Sequence, residues 1–387
     1  MSAGAGPPRR AARQPVPSAL ADLGVDAVYG APLDGVPVIP VPPDLAPLFA
    51  DAHRRLTHRP AAVHDGGGAL VDPRTGAPPE PAAPVDGWVE PDDAVVQRLR
   101  SAGSPAVLAG PGVVSAAAVP GLHALAVAGS VGVLNTWGAK GVFDWRSRHH
   151  LATVGLQARD FELGGLAEAD LIVAVGLDPR ETLADWRLAP VLELAPGELD
   201  PLAERWHRPR AEIAVPPIRS GLAAVTQSGW RVEDAPLPPT RVTQHYGQVL
   251  GAAGLVAADP GTAGFWVART FATRGVGGAH VPSDASARGF AIACVTVARL
   301  QQPGRVALAV VDDAGAAEQR LLDAAAALGV GVPVEVWAPD GERLGAAAHR
   351  RRLARLLRTG GIATIGVDGS QMDEILAVAG DVVAWTT

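Results

Sequence analysis

The run LIVAVGL at residues 171–177 has no charged or amide side chain to present to water. A strand with one solvated face alternates apolar and polar residues, so an unbroken apolar run demands cover on both faces. VALAVVDD (306–313) and GLVAAD (254–259) repeat the pattern, each ending in acidic residues. Ala- and Leu-rich stretches of helical length lie between such runs: VVSAAAVPGLHALAVAGS (113–130), GFAIACVTVARL (289–300) and AEQRLLDAAAALG (317–329). Strands and helices in alternation build a parallel sheet with helices on both faces, the α/β doubly wound class. Further strands are expected at PAVLAG (105–110), VGVLNT (131–136) and PVEVWAPD (333–340), and a helix over FELGGLAEAD (161–170).

Two stretches, 65–87 and 228–241, are rich in Gly or Pro and read as linkers, because these residues punctuate regular elements. They divide the 387 residues into a short N-terminal segment (1–90), expected to be irregular, and two Rossmann-like parallel-sheet domains (91–230 and 231–387), each large enough to bury a core. The formal charge of −7 argues against nucleic acid as a partner. The basic run HRRRLARLLR (349–358) places Leu353, Leu356 and Leu357 on one helical face and reads as a solvated amphipathic helix. Apolar runs are strand-sized, too short for a membrane span. The first 20 residues carry arginines with no apolar run behind them, unlike a secretory signal. The single cysteine, Cys294, lies in an apolar helical stretch and cannot form an internal disulfide. A cytoplasmic protein is expected. His149 and His150 lack metal-ligand spacing, and a structural role is the default.

Ligands of doubly wound sheets sit outside the carboxyl ends of the strands. Four loops lie there: LAGPGVV (108–114), LNTWGAKG (134–141), AADPGT (257–262) and VVDDAG (310–315). Gly110 and Gly112 mark a strand-to-helix turn, where amides face a phosphate or simply close a tight turn. Trp137 and Gly138 precede Lys140, the only lysine of the chain, in a loop that allows a nucleotide-like ligand close approach. Asp312 and Asp313, with Asp340 at the next strand end, suit a hard cation such as magnesium, or else serve as helix caps and solvated loop charges.

The run NTWGAKGVFDWRSRHHLATVGLQARDFELGGLAEADLIVAVGLDPRET (135–182) resembles the central domain of thiamine-diphosphate enzymes of the acetolactate synthase type. In that family a strand leads into a T-x-x-G-K-G-x-F loop. A glycine turn, a helix and an L-x-x-A-D-L-x-x-x-V-G segment follow. DPGTAGFW (259–266), with Asp259, Gly261 and Trp266, is similar to the opening of the family's pyrophosphate-binding domain, D-x-G-x-x-x-x-W. Gly289 matches the second glycine of its glycine-led helix, and VVDDAG falls at its G-D-G motif, so Asp313 matches the magnesium-binding aspartate.

The resemblance, over roughly 95–345, implies thiamine diphosphate and magnesium as cofactors. Asp259, Gly261, Gly289, Asp312 and Asp313 would lie toward the cofactor, with Gly110, Gly112, Trp137, Gly138 and Lys140 in the central loops. Asp313 and Asp340 would lie toward the metal, and no catalytic residue is assigned. It also implies 2-keto acid chemistry in an intact relative, and a homo-oligomer or a homologous thiamine-enzyme subunit as partner.

Departures accompany the matches. Asp312 and Ala314 replace the two glycines of G-D-G, and Arg288 stands where the family has an apolar prop. The pyrimidine-binding domain is cut to a vestige in which Asp65, in VHDGGG (63–68), holds the place of the activating glutamate. The expectation is a protein that does not catalyse alone. A subunit of a split enzyme, a coenzyme-binding module and a regulatory partner are the alternatives.

Overall fold

The computed structural model describes residues 16–66, 70–73, 76–79 and 89–386. Most of the first Gly/Pro-rich stretch, and the glycines that follow Gly66, lie outside the described residues.

The strands form three sheets. β1 (Ala27–Gly30), β2 (Val38–Pro40), β3 (Ala61–His64) and β4 (Leu70–Val71) make an N-terminal sheet in the order β2-β1-β3-β4, with only β3 and β4 antiparallel. β5 (Pro105–Ala109), β6 (Val133–Thr136), β7 (His150–Val154), β8 (Leu171–Val175) and β9 (Val191–Leu194) form a central parallel sheet, order β7-β6-β5-β8-β9. β10 (Leu255–Ala258), β11 (Ala279–His280), β12 (Ala307–Val311), β13 (Pro333–Glu342) and β14 (Gly361–Ile365) form the last, also parallel, in the order β11-β10-β12-β13-β14. The two larger sheets are the doubly wound α/β units expected from the apolar runs. β8 and β12 are buried along their whole length. In each sheet the strand order reverses beside the first strand, opening a crevice at the carboxyl ends of β5/β8 and of β10/β12.

Three expectations need correction. The N-terminal segment is not irregular. Its helix Ala46–Thr57 packs Phe49, Ala50 and their neighbours against Phe290, Ala291 and Cys294 of the helix Phe290–Gln301, so one core joins it to the last sheet. Residues 113–130 are not one helix: Pro111–Ser115 and Val119–Gly129 are separated at Ala117, whose φ is +54°. FELGGLAEAD gives a single turn, Asp160–Leu163, because Gly164 and Gly165 end it.

The central and last units are welded by a buried ion pair. Arg269 Nη2 lies 2.7 Å from both Asp160 carboxylate oxygens, and neither side chain is exposed. Asp160 also accepts from the amides of Leu156 and Gln157, while Arg269 Nη1 donates to Thr153 O. Trp137 packs across the same boundary on Trp385, with ring centroids 5.7 Å apart. Deeper in the last unit, buried Glu335 accepts from Tyr246 and pairs with His349 Nε2 at 3.0 Å. No helix among the described residues is long and apolar enough to cross a membrane.

Candidate functional site

Two carboxylates occupy the crevice between β10 and β12. Asp259, at the end of β10, accepts from Gly289 N at 2.6 Å and Ala291 N at 2.7 Å, capping the helix Phe290–Gln301. Asp312, at the end of β12, reaches the opposite way. Its two oxygens accept from Thr262 N at 2.7 Å and Ala263 N at 2.8 Å, the first amides of the helix Thr262–Thr270. Helix N-termini carry unpaired N–H groups and a partial positive charge, so they attract an anion. Here the chain supplies its own to both.

The neighbouring glycines fit this arrangement. A Cβ on Gly261 would come within 2.3 Å of Asp312 Oδ2, and Gly289, at φ +82°, leaves no room beside Leu321. Burial, partly offset by these amides, pushes Asp259 up to about 6 and Asp312 in the same direction.

Asp313 points away to the surface, 3.3 Å from Arg288 Nη2, which also reaches Glu318 at 3.3 Å. Asp340 is exposed on the outer part of β13. Among the described residues no group of three or more His, Cys, Asp or Glu side chains could hold a metal ion. Asp65 is exposed beyond β3, while the adjacent His64 is buried with Nδ1 2.9 Å from Ala31 O.

The central loops come together around a residue that sequence reasoning did not single out. Glu181, in the loop after β8, is fully buried. Its Oε2 accepts from Thr136 Oγ1 at 2.5 Å and Gly138 N at 3.0 Å, and its Oε1 is buried without a hydrogen-bond partner among the described residues. Gly138 is required there, because a Cβ would meet Oε1 at 2.3 Å. Burial raises the Glu181 carboxyl to about 7.

Lys140, two residues beyond Gly138, is 9% exposed; burial, reinforced by Arg269, lowers its amine to about 7. Gly110 and Gly112 pack against the turn after β8. Gly110 N donates to Val175 O and Gly112 N to Gly176 O, and a Cβ on either would clash with Gly176. Their amides are therefore spent on the fold.

Residues 93–193 match the family model described as thiamine pyrophosphate enzyme, central domain. This segment is similar to the central domain of thiamine pyrophosphate enzymes. A solved structure of a candidate thiamin diphosphate-dependent enzyme from Mycobacterium smegmatis shares the fold over 90% of this chain and 97% of its own. The TM-score is 0.67 and the identity 14%. No curated protein matches the sequence. The shared fold thus extends over most of the chain, well beyond the matched segment. Of the residues expected near the cofactor, Asp259, Gly261, Gly289 and Asp312 meet in the β10/β12 crevice. Gly110, Gly112, Trp137, Gly138 and Lys140 belong to the central loops, and Asp313 and Asp340 are each exposed.

Proposed function

We propose that this chain is a relative of the thiamine enzymes, of the acetolactate synthase type, that does not catalyse on its own. One observation carries the reading: the Asp312 carboxylate lies on the amides of Thr262 and Ala263, at a helix N-terminus where a diphosphate would need open donors. A diphosphate entering there meets a carboxylate, at a cost in repulsion and desolvation. Asp313 faces Arg288 instead of an open cation position, and Asp340 brings no third oxygen to it. Magnesium demands near-octahedral oxygen ligands, which this pair does not offer. The residues present do not fit a magnesium diphosphate, and no reaction step is derived through one.

Calorimetric titration of the full chain with thiamine diphosphate and magnesium tests the reading. No heat of binding is expected from the wild type, and Asp312→Gly should gain binding of inorganic pyrophosphate at the freed amides. Tight magnesium-dependent binding by the wild type, abolished by Asp313→Ala, overturns it. Acetolactate formation appearing only with an added pyrimidine-binding partner would favour the split-enzyme alternative.

A further inference from the structure

A cavity of about 430 Å³ lies between the central and last units, apart from the β10/β12 crevice, and Lys140, His150, Thr153, Arg219, Trp230 and Arg269 help to line it. Its charge is one-sided. Lys140, Arg146, Arg219 and Arg269 all reach it, and no carboxylate among the described residues does. Arg269 is satisfied by Asp160 on its far side. Lys140 has no ion-pair partner among the described residues; its Nζ has only Thr153 Oγ1, at a long 3.4 Å. An ammonium kept from water without a counter-ion is costly, and a lysine held neutral in this way is a nucleophile. Arg219 is half-buried. Its Nη1 donates to His150 O at 2.5 Å, which fixes the guanidinium at the start of β7 while Thr153 lies further along the same strand. The Nδ1 atom of half-buried His150 is itself buried and has no hydrogen-bond partner among the described residues.

We propose that Lys140 is a carbonyl-capturing amine, and that the cavity takes a small oxo acid whose carboxylate is held by Arg219. The Nζ lone pair forms a C–N bond to the carbonyl carbon while the C=O pair moves to oxygen, which takes up a proton. That proton comes from the nitrogen; the carbinolamine hydroxyl then takes a second proton from solvent and leaves as water, the nitrogen returns its remaining proton to solvent, and a C=N bond results. One water leaves and nothing is oxidised or reduced. The neutral amine required is present in quantity near neutrality, because burial brings Lys140 to about 7. His150 and Thr153 are three residues apart, about 10 Å along a strand. The amine and the guanidinium are thus anchored toward different ends of the cavity, which favours an acid with its carbonyl a few bonds from the carboxylate. The thiamine reading is not needed for this step.

The chain's single lysine makes the test clean. The folded full-length protein is incubated with 4-oxobutanoate and sodium cyanoborohydride at neutral pH, then mapped by mass spectrometry. Alkylation at Lys140 adds a carboxypropyl group and blocks tryptic cleavage there, which distinguishes it from reaction at the N-terminal amine. Lys140 should label about tenfold faster with 4-oxobutanoate than with neutral butanal, as expected for one charge-assisted contact. Unreactive butanoate should protect it, and Arg219→Gln should abolish the preference while leaving circular dichroism unchanged. If Arg219→Gln does not fold, butanoate protection of the wild type decides alone. The proposal is overturned if Lys140 labels only after unfolding in guanidinium, or if the two carbonyl probes react equally and butanoate protects from neither.

Discussion

Replacing Lys140 by Met removes a buried amine while keeping most of its volume, so the change in stability reports chiefly on the charge. The amine falls from 10.5 to about 7, driven first by burial and then by Arg269. Below pH 7 it is protonated in both states, and the folded protein bears the full cost of the buried charge. Between pH 7 and 10.5 the folded form has released a proton that the unfolded chain still holds, so stability rises with pH through that window. At about 1.4 kcal/mol per tenfold change in proton affinity, the rise from pH 7 to pH 10 is about 3–4 kcal/mol. Lys140→Met lacks this rise.

Urea unfolding of both proteins, followed by tryptophan fluorescence from pH 7 to 10, gives the two stability curves. The variant should be the more stable at pH 7, and the gap should narrow by about 3–4 kcal/mol at pH 10. The window avoids His150, which Lys140 also helps to lower and which titrates near pH 3 when folded. A gap constant across the range would mean that Lys140 keeps an ordinary amine, solvated or paired, and would falsify the reasoning.

Two further outcomes follow from buried groups. Arg269→Met should lower stability by about 3–5 kcal/mol, because Asp160 is then left as an unpaired buried carboxylate; chemical denaturation measures this, and Asp160→Asn in the same chain should recover part of the loss. Glu181, raised to about 7 from 4.5, keeps a proton that the unfolded chain gives up, so its contribution falls as pH rises from 4.5 to 7. Glu181→Gln should gain about 3 kcal/mol on the wild type across that window in the same assay.

Much of this architecture is legible in single segments. LIVAVGL and VALAVV become β8 and β12 because an unbroken apolar run is stable only with both faces covered. The N-terminal sheet is not legible in that way. Its strands are two to four residues long, too short to carry a period, and they are held by a helix packed on a segment far along the chain. The role of Asp312 was open between ligand and cap. Cap rules look beside a helix, whereas the helix it caps lies some 50 residues earlier. Glu181 sits in DPRET, whose composition reads as an exposed loop. Only the approach of Thr136 and Gly138 from a different strand end buries it.

The loop from Thr136 to Lys140 holds a buried carboxyl at one end and a buried amine at the other, and their effects on stability have opposite slopes. Glu181 lowers stability as pH rises toward 7, and Lys140 restores it as pH rises beyond 7. Their summed contribution therefore has its minimum near neutrality, whereas stability commonly peaks between about pH 5 and 8. A loop kept for packing alone gains nothing from this; Met and Gln fill the same spaces without the cost. The double variant Lys140→Met/Glu181→Gln should lose the dip in melting temperature near pH 7. A dip that persists in the double variant would place its cause in groups other than Lys140 and Glu181.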